Sequence, residues 1–354
     1  MYIQTRIKSD NPPKSGEGIR LAVYQTQAGL CGSSEAINES LKILKDGAKT
    51  AKNNYNAQII SFPELFLSGY AFEDNDTAHA LCKSSDYVAK LIAPIAKEIG
   101  IAIICPYPEK GIVEGVECHY DSMVVVDEKG ELLKNYRKTH LWGPDEQKLW
   151  SFGYASQFEG EAYSVFKVND FPLGVLNCYE AEFPELTRIL VTKGAKLVVI
   201  PTAADLRAVV SGEWTTQTYP DISKNLIPAR ALENEVFVAY NNYTGIGHIK
   251  KDGKNVDQVE YLGNSIICDP HGKIMTDARF SDEVMLITDC IPADYAPTHP
   301  CGTNYIKDRR PALYNQLTAE EIEYDNWTYP NPPKPIYEDW NKEDKKHNKK
   351  LKGC

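Results

Sequence analysis

No run in this 354-residue chain approaches the ~18 consecutive apolar residues of a membrane-spanning helix, so an integral membrane protein is not expected. GxGxxG and GxxxxGK[ST] are both absent, which removes the Gly-rich phosphate loops of nucleotide chemistry. GxSxG is absent as well, and with it the usual serine hydrolase. None of the nine cysteines (31, 82, 105, 118, 178, 268, 290, 301 and 354) stands in a CxxC pair, so zinc-ribbon and thioredoxin chemistry have no footing. A basic stripe is missing too. Lys+Arg number 39 against 49 Asp+Glu, a net charge of −10 that does not suit a nucleic-acid partner. Met1 to Gly18 holds charges and prolines but no apolar h-region, so no secretory signal is expected and free thiols in the cytoplasm are.

The apolar residues that are present, 42% of the chain, are ample for a core, and their pattern alternates between two periods. Strand-length runs are Ile19–Thr26, Gln58–Phe62, Ile101–Cys105, Met123–Val126, Leu173–Cys178, Leu197–Ile200, Val236–Tyr240, Asn264–Cys268 and Val284–Ile287. Helical faces fall between them. One carries Ile37, Leu41 and Leu44, with Ser34 as its expected cap, and another carries Val88, Ile92 and Ile99, with Pro94 expected to bend it. Further helices are expected over Pro184–Lys193 and Ile227–Glu235. Strands alternating with helices imply an α/β fold with helices covering sheet faces. Residues 1–18 read as a loose N-terminal extension. From Thr318 the composition turns polar through Asn331-Pro-Pro-Lys-Pro335 into a Lys-rich tail, read as a C-terminal extension over 318–354.

In open α/β sheets ligands gather where strands end, and several polar residues stand at such places. Cys178 closes a strand and precedes a helix entry, where free backbone N–H groups lower a thiol's pKa and can hold an oxyanion. Taken alone, a free cysteine is more often plain core packing. Glu64 follows the run ending at Phe62 and sits among Leu65, Phe66 and Leu67, a desolvating setting suited to a general base. Taken alone it could equally be a surface carboxylate near a helix start. Lys138 ends another strand, which by itself suggests only a solvated lysine. Glu146 lies eight positions beyond it.

The set says more than its members. Pro63-Glu64-Leu-Phe, then Tyr136-Arg-Lys138-Thr-His-Leu, then Asn177-Cys178-Tyr-Glu-Ala-Glu-Phe-Pro-Glu185 occur in the order that marks the nitrilase superfamily of carbon–nitrogen hydrolases, which this chain resembles from about Ile19 to Leu317. Ile200-Pro-Thr-Ala, Ile227-Pro-Ala-Arg-Ala-Leu-Glu-Asn234 and Gly263-Asn-Ser-Ile-Ile-Cys-Asp-Pro-His-Gly272 agree with it. The resemblance implies a four-layer α-β-β-α sandwich over residues 19–317 and a Glu-Lys-Cys triad. Matched position by position, Glu64 is the base, Lys138 the lysine, Cys178 the nucleophile and Glu146 the additional active-site glutamate. The backbone N–H of Tyr179 is expected to share the oxyanion with Lys138. No metal or organic cofactor is implied.

Tyr179-Glu180 after the cysteine is more similar to amidases and carbamoylases than to true nitrilases, which typically carry Trp-Glu there. The expected reaction is hydrolysis of an amide or N-carbamoyl compound through a Cys thioester. A true nitrilase, or a non-catalytic binding or scaffold protein, stays open beside it. A chain ending without a second catalytic domain does not match the glutamine-dependent synthetases. His119, Tyr120 and Trp214 are read as pocket wall, each in a loop-like segment after a strand, with ordinary packing as the plainer alternative. The resemblance also implies a homo-oligomer, and the C-terminal extension would be either an arm across a neighbour, anchored by Tyr329, Ile336 and Trp340, or a mobile tail.

Overall fold

In the computed structural model, which describes residues 1–210, 212–216, 221–278 and 282–319, the strand Ile19–Gln25 is buried at every position. Because successive strand side chains point to opposite faces, they divide between two cores. Ile19, Leu21 and Val23 enter one, and Ala22 and Tyr24 enter the other. This strand lies inside a seven-stranded sheet whose spatial order is Tyr2–Arg6, Val284–Cys290, Ile19–Gln25, Ile59–Ser61, Ala102–Val113, Val116–Val126 and Leu132–Arg137. A six-stranded sheet runs Ile274–Asp277, Ile266–Cys268, Phe237–Asn241, Leu197–Pro201, Phe171–Val175 and Phe166–Val168.

The two sheets pack face to face. Leu21, Val23 and Ile104 of the first meet Leu173, Val199 and Phe237 of the second in one buried cluster. The other face of the first sheet is covered by the helices Ser34–Tyr55 and Ser85–Ile99, through Leu44, Ala48, Val88 and Ile92. The outer face of the second is covered by Pro184–Thr192 and Ile227–Asn234, through Leu186, Leu190, Ile227 and Ala231. The result is a four-layer α-β-β-α sandwich, as the resemblance implied. Gly174 allows one of these approaches: a Cβ there would lie 2.7 Å from Leu190 Cδ2.

Several expectations need adjustment. The helix beginning at Ser34 is capped one residue earlier, by Ser33, whose Oγ accepts the Ala36 N–H at 3.1 Å. Residues 1–18 are not a loose lead. Tyr2–Arg6 pairs in parallel with Val284–Cys290 as an edge strand. Fully buried Arg20 then ties the following loop down. It donates to Asp289 at 2.6 and 3.0 Å and to the carbonyls of Ser9, Asp10, Asn11 and Tyr55. A guanidinium is suited to this, with five N–H donors in a fixed fork.

A third sheet of four strands, in the order Glu213–Thr216, Asp205–Val210, Lys254–Leu262 and Thr244–Lys251, was not read from the sequence. Its polar, partly exposed strands give no buried apolar run. The extension expected over 318–354, with Tyr329, Ile336 and Trp340, lies outside the described residues beyond Ala319.

Candidate active site

Three strand ends meet at one point. After Ile59–Ser61, Pro63 stops the ladder, and the Glu64 backbone is held from the opposite sheet. Its N–H donates to the Thr202 carbonyl at 3.3 Å, and its carbonyl accepts the Tyr243 hydroxyl at 3.0 Å. Lys138 is the first residue past Leu132–Arg137. Its N–H donates to the Asp121 carbonyl at 2.9 Å, and its carbonyl accepts the Gly153 N–H at 2.8 Å. Only a glycine fits that approach, because a Cβ on residue 153 would lie 2.7 Å from the Arg137 carbonyl oxygen. Cys178 opens a short 3₁₀ turn, Cys178–Glu182, just past Phe171–Val175. Its φ of +50° is a left-handed conformation that a non-glycine residue adopts at a cost.

Buried Glu180 joins two of these strand ends. It accepts the N–H groups of Asn177 at 2.7 Å and Thr139 at 2.6 Å, together with the Tyr136 hydroxyl at 2.7 Å. One carboxylate thereby fixes the loop of the lysine against the loop of the cysteine.

The side chains converge. Lys138 Nζ donates to Glu64 Oε1 at 2.6 Å and to both oxygens of Glu146 at 2.8 and 2.9 Å, and lies 3.5 Å from Asp121 Oδ2. Glu146 comes from the helix Gly143–Leu149. It also accepts the Trp142 N–H at 2.6 Å and the Tyr70 hydroxyl. Glu64, Asp121 and Glu146 present oxygens within 4.8 Å of one another, three acidic groups around one point. Here the Lys138 ammonium stands among them.

Glu64 and Lys138 are fully buried, whereas Cys178 is half-buried and lines a cavity of about 470 Å³. Glu146, Tyr179, Tyr70 and Tyr240 line it too, and Ala208, Val209 and Val259 of the four-stranded sheet form a wall. That volume suits a small organic molecule. Thr202 Oγ1 lies 3.0 Å from Cys178 Sγ and 3.1 Å from the Tyr240 hydroxyl oxygen. The N–H of Tyr179, in the first turn of its helix, has no acceptor among the described residues.

Electrostatics follow from burial. Burial and the nearby Glu64 push the Cys178 thiol well above its usual range despite Lys138, the reverse of the lowering expected from helix-end N–H groups alone. Burial alone would lower Lys138, but Glu146 and Glu64 overcome it and hold the ammonium charged. Burial raises Glu146, with Lys138 opposing. Burial and Glu64 raise Asp121 strongly.

Glu64, Lys138, Glu146, Cys178 and Tyr179 are therefore brought together, and the three other candidates are not. His119 lies within the long strand Val116–Val126, stacked on His79 at 3.9 Å, away from the cavity. Tyr120 is buried beside it under the Arg137 guanidinium, 4.2 Å from the ring. Both were placed in a loop because the apolar run begins only at Met123, whereas pairing with Ala102–Val113 extends back to Val116. Trp214 sits on Glu213–Thr216 with Arg207 4.5 Å over its ring, also outside the lining. Asp121 and Tyr70 went unnoticed, whereas Glu180 and Thr202 stood within the Tyr179-Glu180 and Ile200-Pro-Thr-Ala motifs without a role assigned to them. Asp121 left a fainter signal, since it shares strand parity with the buried Met123 and Val125.

The carbon–nitrogen hydrolase family model matches residues 20–299. Over 264 residues the chain is 31% identical to a Pseudomonas protegens protein described as a hydrolase in the pqqF 5′ region, covering 74% of this chain and 81% of that one. It is 28% identical to N-carbamoylputrescine amidase of Arabidopsis thaliana over 74% of this chain and 84% of that one. Among solved structures, an amidase of Nesterenkonia from the nitrilase superfamily superposes with a TM-score of 0.65 at 26% identity, over 86% of this chain and 99% of its own. A further structure of that amidase shows the acetamide moiety of fluoroacetamide added covalently at its active-site cysteine.

Proposed function

The chain belongs to the carbon–nitrogen hydrolase family, and from that premise we propose that Glu64, Lys138 and Cys178, supported by Glu146, form its catalytic site. It is an enzyme of the nitrilase superfamily that hydrolyses non-peptide carbon–nitrogen bonds through a cysteine acyl-enzyme. The observation that carries the site assignment is the Lys138 ammonium, held 2.6 Å from Glu64 beside a thiol that lines the pocket.

A thiol held above its usual range rests as S–H, so its proton leaves during attack. Glu64 takes that proton as Cys178 Sγ bonds to the carbonyl carbon. The oxyanion is met by Lys138 Nζ and the Tyr179 N–H, groups fixed before the charge appears. Glu64 then protonates the leaving nitrogen, and ammonia or an amine departs from the thioester. Water, deprotonated by Glu64, cleaves the thioester to the acid and returns the thiol. Glu146 holds Lys138 in place by two hydrogen bonds.

The cavity favours one class of substrate tail. Around its apolar floor stand Glu73, Asp74, Asp145, Glu182 and Asp205, against Lys148 alone. Glu73 is drawn off by Lys251 at 3.7 Å, and Asp74, Asp145 and Glu182 still outnumber Lys148. An amide or N-carbamoyl compound with a neutral or cationic tail fits this wall better than one with a distal carboxylate. One unit charge about 7 Å from another is worth roughly 2 kcal/mol at an effective dielectric near 20, which screening reduces to about a tenfold preference.

Ammonia release from matched amides with cationic, neutral and anionic tails, and from the corresponding nitriles, tests this. Preference for the anionic tail would overturn the tail assignment, and turnover confined to nitriles would overturn the amidase reading. Free thiols at all eight described cysteines support a reducing compartment. Self-association remains the reading from the family resemblance. No helix among the described residues is long and apolar enough to cross a membrane.

A further inference from the structure

Three carboxylates share one ammonium in this site, and their oxygens can be matched to donors one by one. Glu146 Oε1 faces Lys138 and Tyr70, and Glu146 Oε2 faces Lys138 and the Trp142 N–H. Glu64 Oε1 faces Lys138, and Asp121 Oδ1 accepts the Asn177 amide at 2.9 Å. Two buried oxygens remain without a hydrogen-bond partner, Glu64 Oε2 and Asp121 Oδ2. They belong to neighbouring carboxyl groups. A buried acceptor left unmade is costly, and two carboxylates this close repel in addition. One proton between them removes both penalties. It also brings the cluster from three negative charges against one positive to two against one.

We propose that Asp121 is a positioning residue of this active site, a neutral carboxylic acid that donates its O–H to Glu64 Oε2 and holds Glu64 as the anion aimed at the thiol. Geometry places the proton on Asp121. Glu64 has the short charge-assisted bond to Lys138 at 2.6 Å, which favours its anion, whereas Asp121 has only a 3.5 Å approach and one amide donor. Glu146 offers the proton no place, because both its oxygens already face donors. The strong upward shift of Asp121, from burial and then from Glu64, is consistent with this. Asp121 is also well placed to transmit position. Its carbonyl accepts the Lys138 N–H, and its side chain accepts from Asn177, the residue before the nucleophile. The groups facing it are Glu64, Lys138 and Glu146.

The inference rests on Glu64 being the base, and the test separates the two. Asp121→Asn keeps a neutral donor toward Glu64 and an acceptor for Asn177, so kcat/KM should stay within about threefold of the parent, with the acid limb of its pH profile in place. Asp121→Ala removes the donor. Its kcat should fall at least about tenfold, and the acid limb should move up by about one pH unit because the base loses a hydrogen-bond donor. Equal damage in both variants would mean an anion is required at residue 121, and wild-type kcat in Asp121→Ala would mean the contact is idle. Either result overturns the proposal. Infrared spectra of the unmodified enzyme carrying ¹³C-labelled aspartate give a readout independent of turnover. A protonated-carboxyl band at pH 7 that disappears in Asp121→Asn supports the proposal, and no such band refutes it. Full turnover in Glu64→Gln would instead remove the base assignment, while the infrared band still decides the state of Asp121.

Discussion

Replacing Lys138 by methionine should damage stability and catalysis with different pH signatures. The side chain is fully buried, and its Nζ gives three hydrogen bonds to two carboxylates at 2.6 to 2.9 Å. Methionine restores the volume but leaves Glu64 and Glu146 as buried charges without a counter-ion. Breaking a buried pair by removing one partner costs about 3–5 kcal/mol. Part of that cost is avoided if the stranded carboxyls take up protons, so their folded-state pKa values rise above the unfolded ones. The penalty then grows as pH climbs above the unfolded carboxyl range near 4 and fades as pH falls back through it. Urea unfolding at pH 5 and pH 8 should show a larger deficit at pH 8. Ammonia release should drop on the order of 10²–10³-fold for the lost oxyanion donor, at both pH values. A deficit below about 1 kcal/mol, or one equal at the two pH values, would refute the reasoning that Lys138 neutralises this cluster.

Cys178→Ala should abolish turnover by at least about 10³-fold while the unfolding midpoint stays close to the parent, and a few per cent of residual activity would reject it as nucleophile. Because Cys301 is exposed and Cys178 only half-buried, thiol labelling must be read as protection of Cys178 by a slow amide substrate rather than as total thiol uptake. Asp145→Asn combined with Glu182→Gln should shrink the preference for cationic over anionic tails, with kcat on a neutral amide unchanged within about twofold; an unaltered ratio would show that the wall does not set it. Arg20→Met should cost about 3–5 kcal/mol in urea unfolding, because Asp289 and four carbonyls lose a fully buried partner; a loss below 1 kcal/mol would demote the clamp.

What could be read from the sequence followed burial. Strands buried on both faces, such as Ile19–Gln25 and Leu197–Pro201, announce themselves as unbroken apolar runs, and the amphipathic helices against them by their periodicity. The four-stranded sheet was missed because its polar alternation resembles loop sequence. At the site, residues within contiguous motifs were legible, whereas Asp121 and Tyr70 act through contacts across 17 and 76 positions with no shared motif. His119 and Tyr120 show how the same gap misleads. A polar stretch before an apolar run was taken for a loop, although the backbone there already pairs in register with Ala102–Val113. Pairing is a property of the partner strand as much as of the strand itself.

The seating of Val284–Cys290 between Tyr2–Arg6 and Ile19–Gln25 has a consequence for synthesis. Every hydrogen bond that closes this end of the first sheet, and the Arg20–Asp289 clamp with it, awaits a segment made about 260 residues later. At the usual 5–20 residues per second the ribosome needs roughly 10–50 s to deliver it. Through that interval Ile19–Gln25 is an apolar strand with one edge unpaired, the kind of edge on which nascent chains pair with one another. A message broken before codon 284 would leave the edge open permanently. Chaperone demand for this protein should therefore peak during elongation and fall when Val284–Cys290 slides in.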